Sequence, residues 1–205
     1  MPRKQPEVTE PEGRVRISSG EFRGRKLDCP QTGGVRPMLN RTRMALFNVL
    51  QNALKGAQVW DCFAGSGLLG VEALSRGAKH CVFAELDGFH ARIIQGNVDA
   101  LGIRERTLLI RGSIFDLIKP GTPNLPNTPA DLLLLDPPHA MIKQIDDGPF
   151  WPWLRSLHET PLAGPGTLAA IGHPAELETP ATVGAFAVQD SRTYGTVAFT
   201  ILKHE

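Results

Sequence analysis

Two apolar runs in this chain end in a carboxylate, and each acid is followed by residues that shape the backbone. LLLLDPPHAM (132–141) runs four leucines into Asp136, then Pro137, Pro138 and His139. VWDCFAGSGLLG (59–70) runs through Asp61 into Gly65, Gly67 and Gly70 at G-x-G-x-x-G spacing. The two prolines fix φ and offer carbonyls without N–H groups, so Asp136 is held rigid. A rigid carboxylate beside a backbone carbonyl can accept both hydrogens of an exocyclic amine. The amine of guanine or adenine is a poor nucleophile, because its lone pair is delocalised into the ring. Accepting its hydrogens favours a pyramidal nitrogen and aims the lone pair at an electrophile. That chemistry needs orientation and electrostatics, and no covalent intermediate. His139 is a flat side chain that can stack on the base, though less well than a larger aromatic.

The glycine turn follows a strand and opens a helix, and Glu85 ends the next strand twenty residues after Gly65. Taken literally this is a dinucleotide fingerprint, with glycines for close approach and an acid for a ribose diol. Asp61 argues against a dinucleotide. A carboxylate there favours a cationic ligand part, such as an amino-acid ammonium. No residues downstream suggest hydride chemistry. S-adenosylmethionine, which joins a ribose and an adenine to a cationic amino-acid tail and has no pyrophosphate, is the expected cofactor.

These residues need a scaffold, and the pattern supplies one. Strands are expected at 57–63, 79–85, 107–112, 131–136, 167–172, 185–189 and 196–202, with helices at 41–54, 68–77, 88–101 and 150–159. The early strands are apolar almost throughout and alternate with helices, which predicts an α/β fold with a parallel sheet covered on both faces. The last two strands lack a helix between them and should pair antiparallel at one edge. In such a sheet ligands bind beyond the carboxyl ends of the strands where strand order reverses. If the strands ending in Asp61 and Asp136 are neighbours there, both acids face one crevice.

A chain of 205 residues, 41% hydrophobic, fits one domain with a small appendage. Three divisions are expected: a disordered tail (1–13), a basic hairpin extension (14–38) and the main domain (39–205). No apolar run is long enough for a membrane helix and the N-terminus lacks an apolar signal core. Cys29, Cys62 and Cys81 are odd in number and lack metal-ligand spacing, so reduced thiols, no metal and a cytoplasmic location are expected. Net charge is only +1, yet residues 14–43 carry eight Lys and Arg against two acids. Charge alone leaves two readings of that segment: a solvated basic surface or a contact for a polyanion.

The motifs together resemble a known family. DPPH is similar to the [D/N]-P-P-[aromatic] motif of amino methyltransferases. From about residue 14 to 203 the chain resembles the bacterial 16S ribosomal RNA guanine-N2 methyltransferases. RISSGEFRGRKL, GVRPMLNRTRMALFNVL, DCFAGSGLLGVEALSRGA and YGTVAFTIL carry that likeness, as does Asn97. The resemblance implies a class I methyltransferase fold, Rossmann-like, with seven mostly parallel strands and an N-terminal β-hairpin. It implies that Asp61, Ala64, Gly65, Ser66 and Gly67 line the methionine part of the cofactor. Glu85 would hold the ribose and Ser113 would meet the adenine amine, with Phe63, Leu86 and Ile114 also at the cofactor. Asp136, Pro137, Pro138 and His139 would position the target amine. Arg16, Arg23, Arg25, Lys26, Arg36, Arg41 and Arg43 would meet RNA, and one of the arginines is an alternative partner for the cofactor carboxylate. The implied substrate is 16S ribosomal RNA in a small-subunit assembly particle. A monomer is expected, as no coiled coil or interface segment stands out.

The chain departs from the family pattern at Met38, Leu39, Met44, Ser113 and His139. His139, Met44 and Ser113 keep open a catalytically weakened RNA-binding or ribosome-assembly factor, and the D-P-P motif, which also serves the adenine amine, keeps open an adenine-N6 nucleic-acid methyltransferase. A dinucleotide oxidoreductase is a more distant reading.

Overall fold

The computed structural model describes residues 13–30, 40–118, 129–145 and 147–205. The tail, Arg36, Met38, Leu39 and most of the proline-rich loop at 119–130 lie outside the described residues.

The chain opens with a two-stranded antiparallel hairpin, β1 (Arg14–Arg16) and β2 (Lys26–Asp28). Two helices follow, α1 (Asn40–Val49) and α2 (Gln51–Leu54). Then β3 (Gln58–Asp61), α3 (Leu68–Ser75), β4 (His80–Glu85), α4 (Gly88–Leu101) and β5 (Thr107–Arg111) alternate. A short α5 (Ile114–Leu117) precedes β6 (Leu132–Leu135), α6 (His139–Ile142) and α7 (Phe150–Ser156). The chain ends with β7 (Leu168–Pro174), β8 (Thr182–Val183), β9 (Phe186–Tyr194) and β10 (Val197–His204).

The main sheet runs β5-β4-β3-β6-β7-β10-β9-β8. Its first five strands pair in parallel, while β10 pairs antiparallel with both β7 and β9. Strand order reverses between β3 and β6, which are hydrogen-bonded neighbours with Asp61 opposite Leu134. The expected juxtaposition of Asp61 and Asp136 is therefore present. The sheet has eight described strands rather than seven. The extra one, β8, is two residues long and covers only the start of β9. Strand β9 also runs five residues past the expected Gln189, because Asp190–Tyr194 pair with β10 before the turn at Gly195.

Alternation within the strands explains why they are apolar throughout. Leu132 and Leu134 join one cluster with α1, α3, α4 and the hairpin residues Ile17, Phe22 and Leu27. Leu133 and Leu135 join the opposite cluster with Ile142 and with Phe150, Trp151, Trp153 and Leu154 of α7. Each face of β6 is buried, so neither can be polar. Trp151 and Trp153 accordingly serve core packing. Pro152 is tolerated because it stands in the first turn of α7, where the helix does not use its N–H.

The helix expected over 41–54 is interrupted at Leu50, yet Leu46, Phe47, Leu50 and Leu54 keep one buried face. Arg43 lies on that same face. The hairpin is clamped onto the domain by polar contacts as well as apolar ones. Buried Glu72 accepts hydrogen bonds from the Ser18 backbone N–H, the Ser18 hydroxyl and Arg76. Ser75 receives the Phe22 N–H and donates to the Ser19 carbonyl.

Candidate active site

The carboxyl ends of β3, β4, β5, β6 and β7 open into a cleft of about 1490 Å³. Phe63, Ala64, Gly65 and Ser66 line it from the turn after β3, and Glu85 and Leu86 from the end of β4. Ser113 and Ile114 line it beyond β5, and Asp136, Pro137, Pro138 and His139 beyond β6. Asp61 and Gly67 stand just behind this wall. The sequence-predicted cofactor and target-amine residues thus converge on one cavity, with these two in its support.

The local sequence explains the shape of the turn. Gly67 adopts φ +78°, a left-handed conformation that side chains disfavour, and starts α3. At Gly70 an added Cβ would stand 2.3 Å from the Phe83 ring and 2.6 Å from the Cys81 sulfur. That glycine lets α3 sit against β4.

Asp61 is fully buried beneath the turn. Its Oδ2 accepts the Gly70 N–H at 2.9 Å, which grips the first turn of α3. Its Oδ1 is buried with no hydrogen-bond partner. Burial pushes this carboxyl up to about 7, opposed by the Gly70 N–H and reinforced by the charges of Asp136 and Glu85. A ligand ammonium near Oδ1 would relieve that penalty.

Glu85 is held by two backbone donors, Gly65 N–H at 2.6 Å and Asp87 N–H at 2.8 Å. A carboxylate has about four acceptor positions, so a ribose diol can still be bound. Leu86 beyond it is 68% exposed and lines the cleft, so its apolar surface is open to a flat apolar ligand. The residues present therefore fit a ligand with a cationic end, a diol and an aromatic base.

Asp136 sits at the floor of the cleft, partly open to it and otherwise enclosed by protein. That burial pushes its carboxyl up to about 6. Pro137 is buried and Pro138 caps α6, which places His139 on the exposed wall of the cleft. The same wall carries buried His173 on β7 and Glu176, whose carboxylate meets Lys143 at 2.8 Å.

Sequence reasoning missed several lining residues. Asp87 caps α4 by accepting the Phe89 and His90 N–H groups, and His90 stands 3.8 Å from Glu85. Asp87 before a helical run was a readable cap signal. Phe115, packed edge-to-face on Phe63, Thr42 of α1, and His173 had no local signal, because the fold brings them to the cleft.

Among the cations expected to meet RNA, Arg16, Arg23, Arg25, Lys26 and Arg41 are exposed, and Arg36 lies outside the described residues. Arg43 must be reassigned. It is 1% exposed, lies 3.6 Å from Glu72, and donates to the Arg16 carbonyl and Asn40. It is an internal counter-ion of the hairpin clamp and has no surface to offer RNA.

A reversed parallel sheet with an acid under a glycine turn, a second acid after β4 and a rigid D-P-P after β6 defines a class I methyltransferase fold. The chain belongs to the family described as Conserved hypothetical protein 95, whose model matches residues 15–203. It is similar to the Ribosomal RNA small subunit methyltransferase D of Escherichia coli strain K12, with 37% identity over 126 residues. That alignment covers 62% of this chain and spans 61% of the relative's length. It is also similar to the Putative rRNA methyltransferase YlbH of Bacillus subtilis, 29% identical over 92% of this chain and 98% of the relative. Among solved structures, the putative methyltransferase yhhF from Escherichia coli superposes with a TM-score of 0.79. It is 28% identical, covering 94% of this chain and 99% of that one.

Proposed function

We propose that this chain is an S-adenosylmethionine-dependent methyltransferase that modifies the exocyclic N2 amine of a guanine in 16S ribosomal RNA. The observation that carries the reading is the placement of Asp136. It is rigid, partly open, and beside the β3 turn across the point where strand order reverses. Similarity to ribosomal RNA methyltransferases supports the substrate class, and the family resemblance supports guanine N2.

In this reading the cofactor supplies an electrophilic methyl group on a sulfonium. Asp61 receives its ammonium, Glu85 its ribose hydroxyls, and Leu86, Ser113 and Ile114 its adenine. Asp136 and the Pro137 carbonyl accept the hydrogens of the target amine and aim its lone pair. After transfer the nitrogen carries a surplus proton, which the Asp136 carboxylate can take. The exposed cations of the hairpin and Arg41 hold the RNA phosphates. The protein would act as a monomer in the cytoplasm, on a small-subunit assembly particle.

The test uses radiolabelled S-adenosylmethionine and small subunits from cells lacking the protein, followed by nucleoside analysis. Label in N2-methylguanosine is expected, and Asp136→Ala should abolish it while leaving cofactor binding intact. Label in N6-methyladenosine would overturn the choice of base. Loss of both transfer and cofactor binding in the variant would show that Asp136 has another role.

A further inference from the structure

Buried Asn97, on the third turn of α4, uses all of its side-chain polar atoms on two distant backbone segments. Its Oδ1 accepts the Asp28 N–H at 2.9 Å, and its Nδ2 donates to the Asp28 carbonyl at 3.0 Å. It thereby pairs with the end of β2 as a neighbouring strand would. The other Nδ2 hydrogen goes to the Ser66 carbonyl at 3.1 Å, inside the glycine turn. One side chain thus fixes the end of the basic hairpin and the peptide between Ser66 and Gly67.

The helix that carries Asn97 touches both regions elsewhere as well. Its cap residue Asp87 donates its N–H to Glu85. Near its other end the Ala100 carbonyl accepts Arg25 of the hairpin at 2.8 Å. A rod so anchored cannot shift at the turn without straining the hairpin.

We infer that Asn97 is a positioning residue that couples the hairpin to the glycine turn, so that RNA bound at one and cofactor bound at the other strengthen each other. The inference rests on the function proposed above. RNA that restrains the hairpin also restrains Asp28, and through Asn97 the Ser66 carbonyl. The turn then loses less freedom when it closes on the cofactor. Linkage makes the effect reciprocal.

The experiment measures S-adenosylhomocysteine affinity with and without saturating small-subunit ribosomal RNA. In the natural chain RNA should tighten binding roughly fivefold or more. In Asn97→Asp, which keeps the shape and the acceptor but loses both donors, the factor should fall toward one. Amide exchange in the natural chain supplies a second readout independent of the variant's folding. S-adenosylhomocysteine alone should slow exchange at Asp28 and its hairpin neighbours. A factor unchanged in Asn97→Asp, even with a lowered melting temperature, would reduce Asn97 to a structural part and overturn the inference. So would independent binding of the two ligands by the natural chain. Binding of neither ligand would instead sink the functional reading.

Discussion

Asp61 and Asp136 end neighbouring parallel strands, and the charge of Asp136 is one of the influences that push the Asp61 carboxyl up to about 7. Asp136 itself is pushed up to about 6 by burial. Because the two charges feel each other, the acids titrate as a pair rather than one by one. Ligands meet the two acids differently. Asp61 can be neutral without a ligand and ionise against an ammonium. Asp136 must be ionised whenever the amine arrives.

An acid limb is expected in both cofactor affinity and turnover, in the range of about pH 6 to 7 where the pair takes up a proton. Cofactor affinity should weaken there because binding must deprotonate Asp61, and turnover at saturating cofactor should fall as Asp136 protonates. Calorimetry with S-adenosylhomocysteine in buffers of different ionisation enthalpy should show proton release near pH 7. Affinity and turnover that both stay flat down to pH 5 would contradict the raised values of these acids.

The same shifts set a stability trend. Both carboxyls have folded values above the unfolded value near 3.8, so between about pH 4 and 7 the folded chain binds more protons than the unfolded one. Their contribution is fully present below pH 4 and is lost as pH rises through 6 to 7. The ligand-free protein should gain less from neutral pH than its Asp61→Asn variant does. Thermal melts at pH 5 and pH 8 check this, and each kcal/mol is worth about 2–4 °C in a domain of this size. Buried His173, whose value burial lowers, works in the opposite direction, which is why the comparison needs the variant.

Glu72 should be the costliest single removal in the hairpin clamp. Glu72→Ala would leave Arg43 buried without its counter-ion and strip the acceptor from Ser18 and Arg76. Breaking a buried pair in this way costs about 3–5 kcal/mol. The melting temperature should fall by about 10 °C. Denaturant titration gives the free energy directly, and a loss under about 1 kcal/mol would mean the clamp is held by Ile17, Phe22 and Leu27 instead.

The parts of the site that were legible in the sequence are those set by local rules. Asp61 and Asp136 stand out because an acid after an apolar run is costly to bury without purpose. The glycine spacing likewise announces a tight turn. Arg43 misled because the resemblance was followed where periodicity pointed elsewhere. It shares helical spacing with Phe47, Leu50 and Leu54, which already placed it on the buried face, and its counter-ion Glu72 lies in another helix. Strand β8 was illegible because two residues carry no pattern, and the length of β9 because Asp190–Tyr194 are paired yet largely exposed. His173 and Thr42 reach the cleft through topology alone.

RNA binding should sort the arginines by their surroundings. Arg23→Ala removes an exposed charge from the hairpin. It should lower the slope of log affinity against log salt by about 0.7–0.9. Arg43→Ala should leave the slope unchanged and destabilise the fold. Filter binding at several salt concentrations, paired with thermal melts, separates the two effects. Equal slope losses would return Arg43 to the surface.

His139 offers the sharpest question about this particular chain. Its ring begins α6 on the exposed wall of the cleft, where the family pattern has a larger aromatic. Stacking of a base on an aromatic side chain is worth about 1–3 kcal/mol, and the smaller imidazole gains less of it. His139→Phe should therefore raise kcat/KM for the RNA by several-fold, up to about tenfold. The gain should fall mainly on KM, because stacking holds substrate and transition state alike. Asp136 lies three positions away on the far side of two prolines and keeps its own geometry. If the variant instead loses activity, stacking is not what this position supplies. The imidazole, which shares its wall of the cleft with Glu176 and His173, would then be making a polar contact with the base or its phosphate. His139→Asn separates the two cases, because it removes the ring and keeps polar atoms at the same place. A stacking role raises KM in that variant, whereas a polar contact leaves it near the natural value.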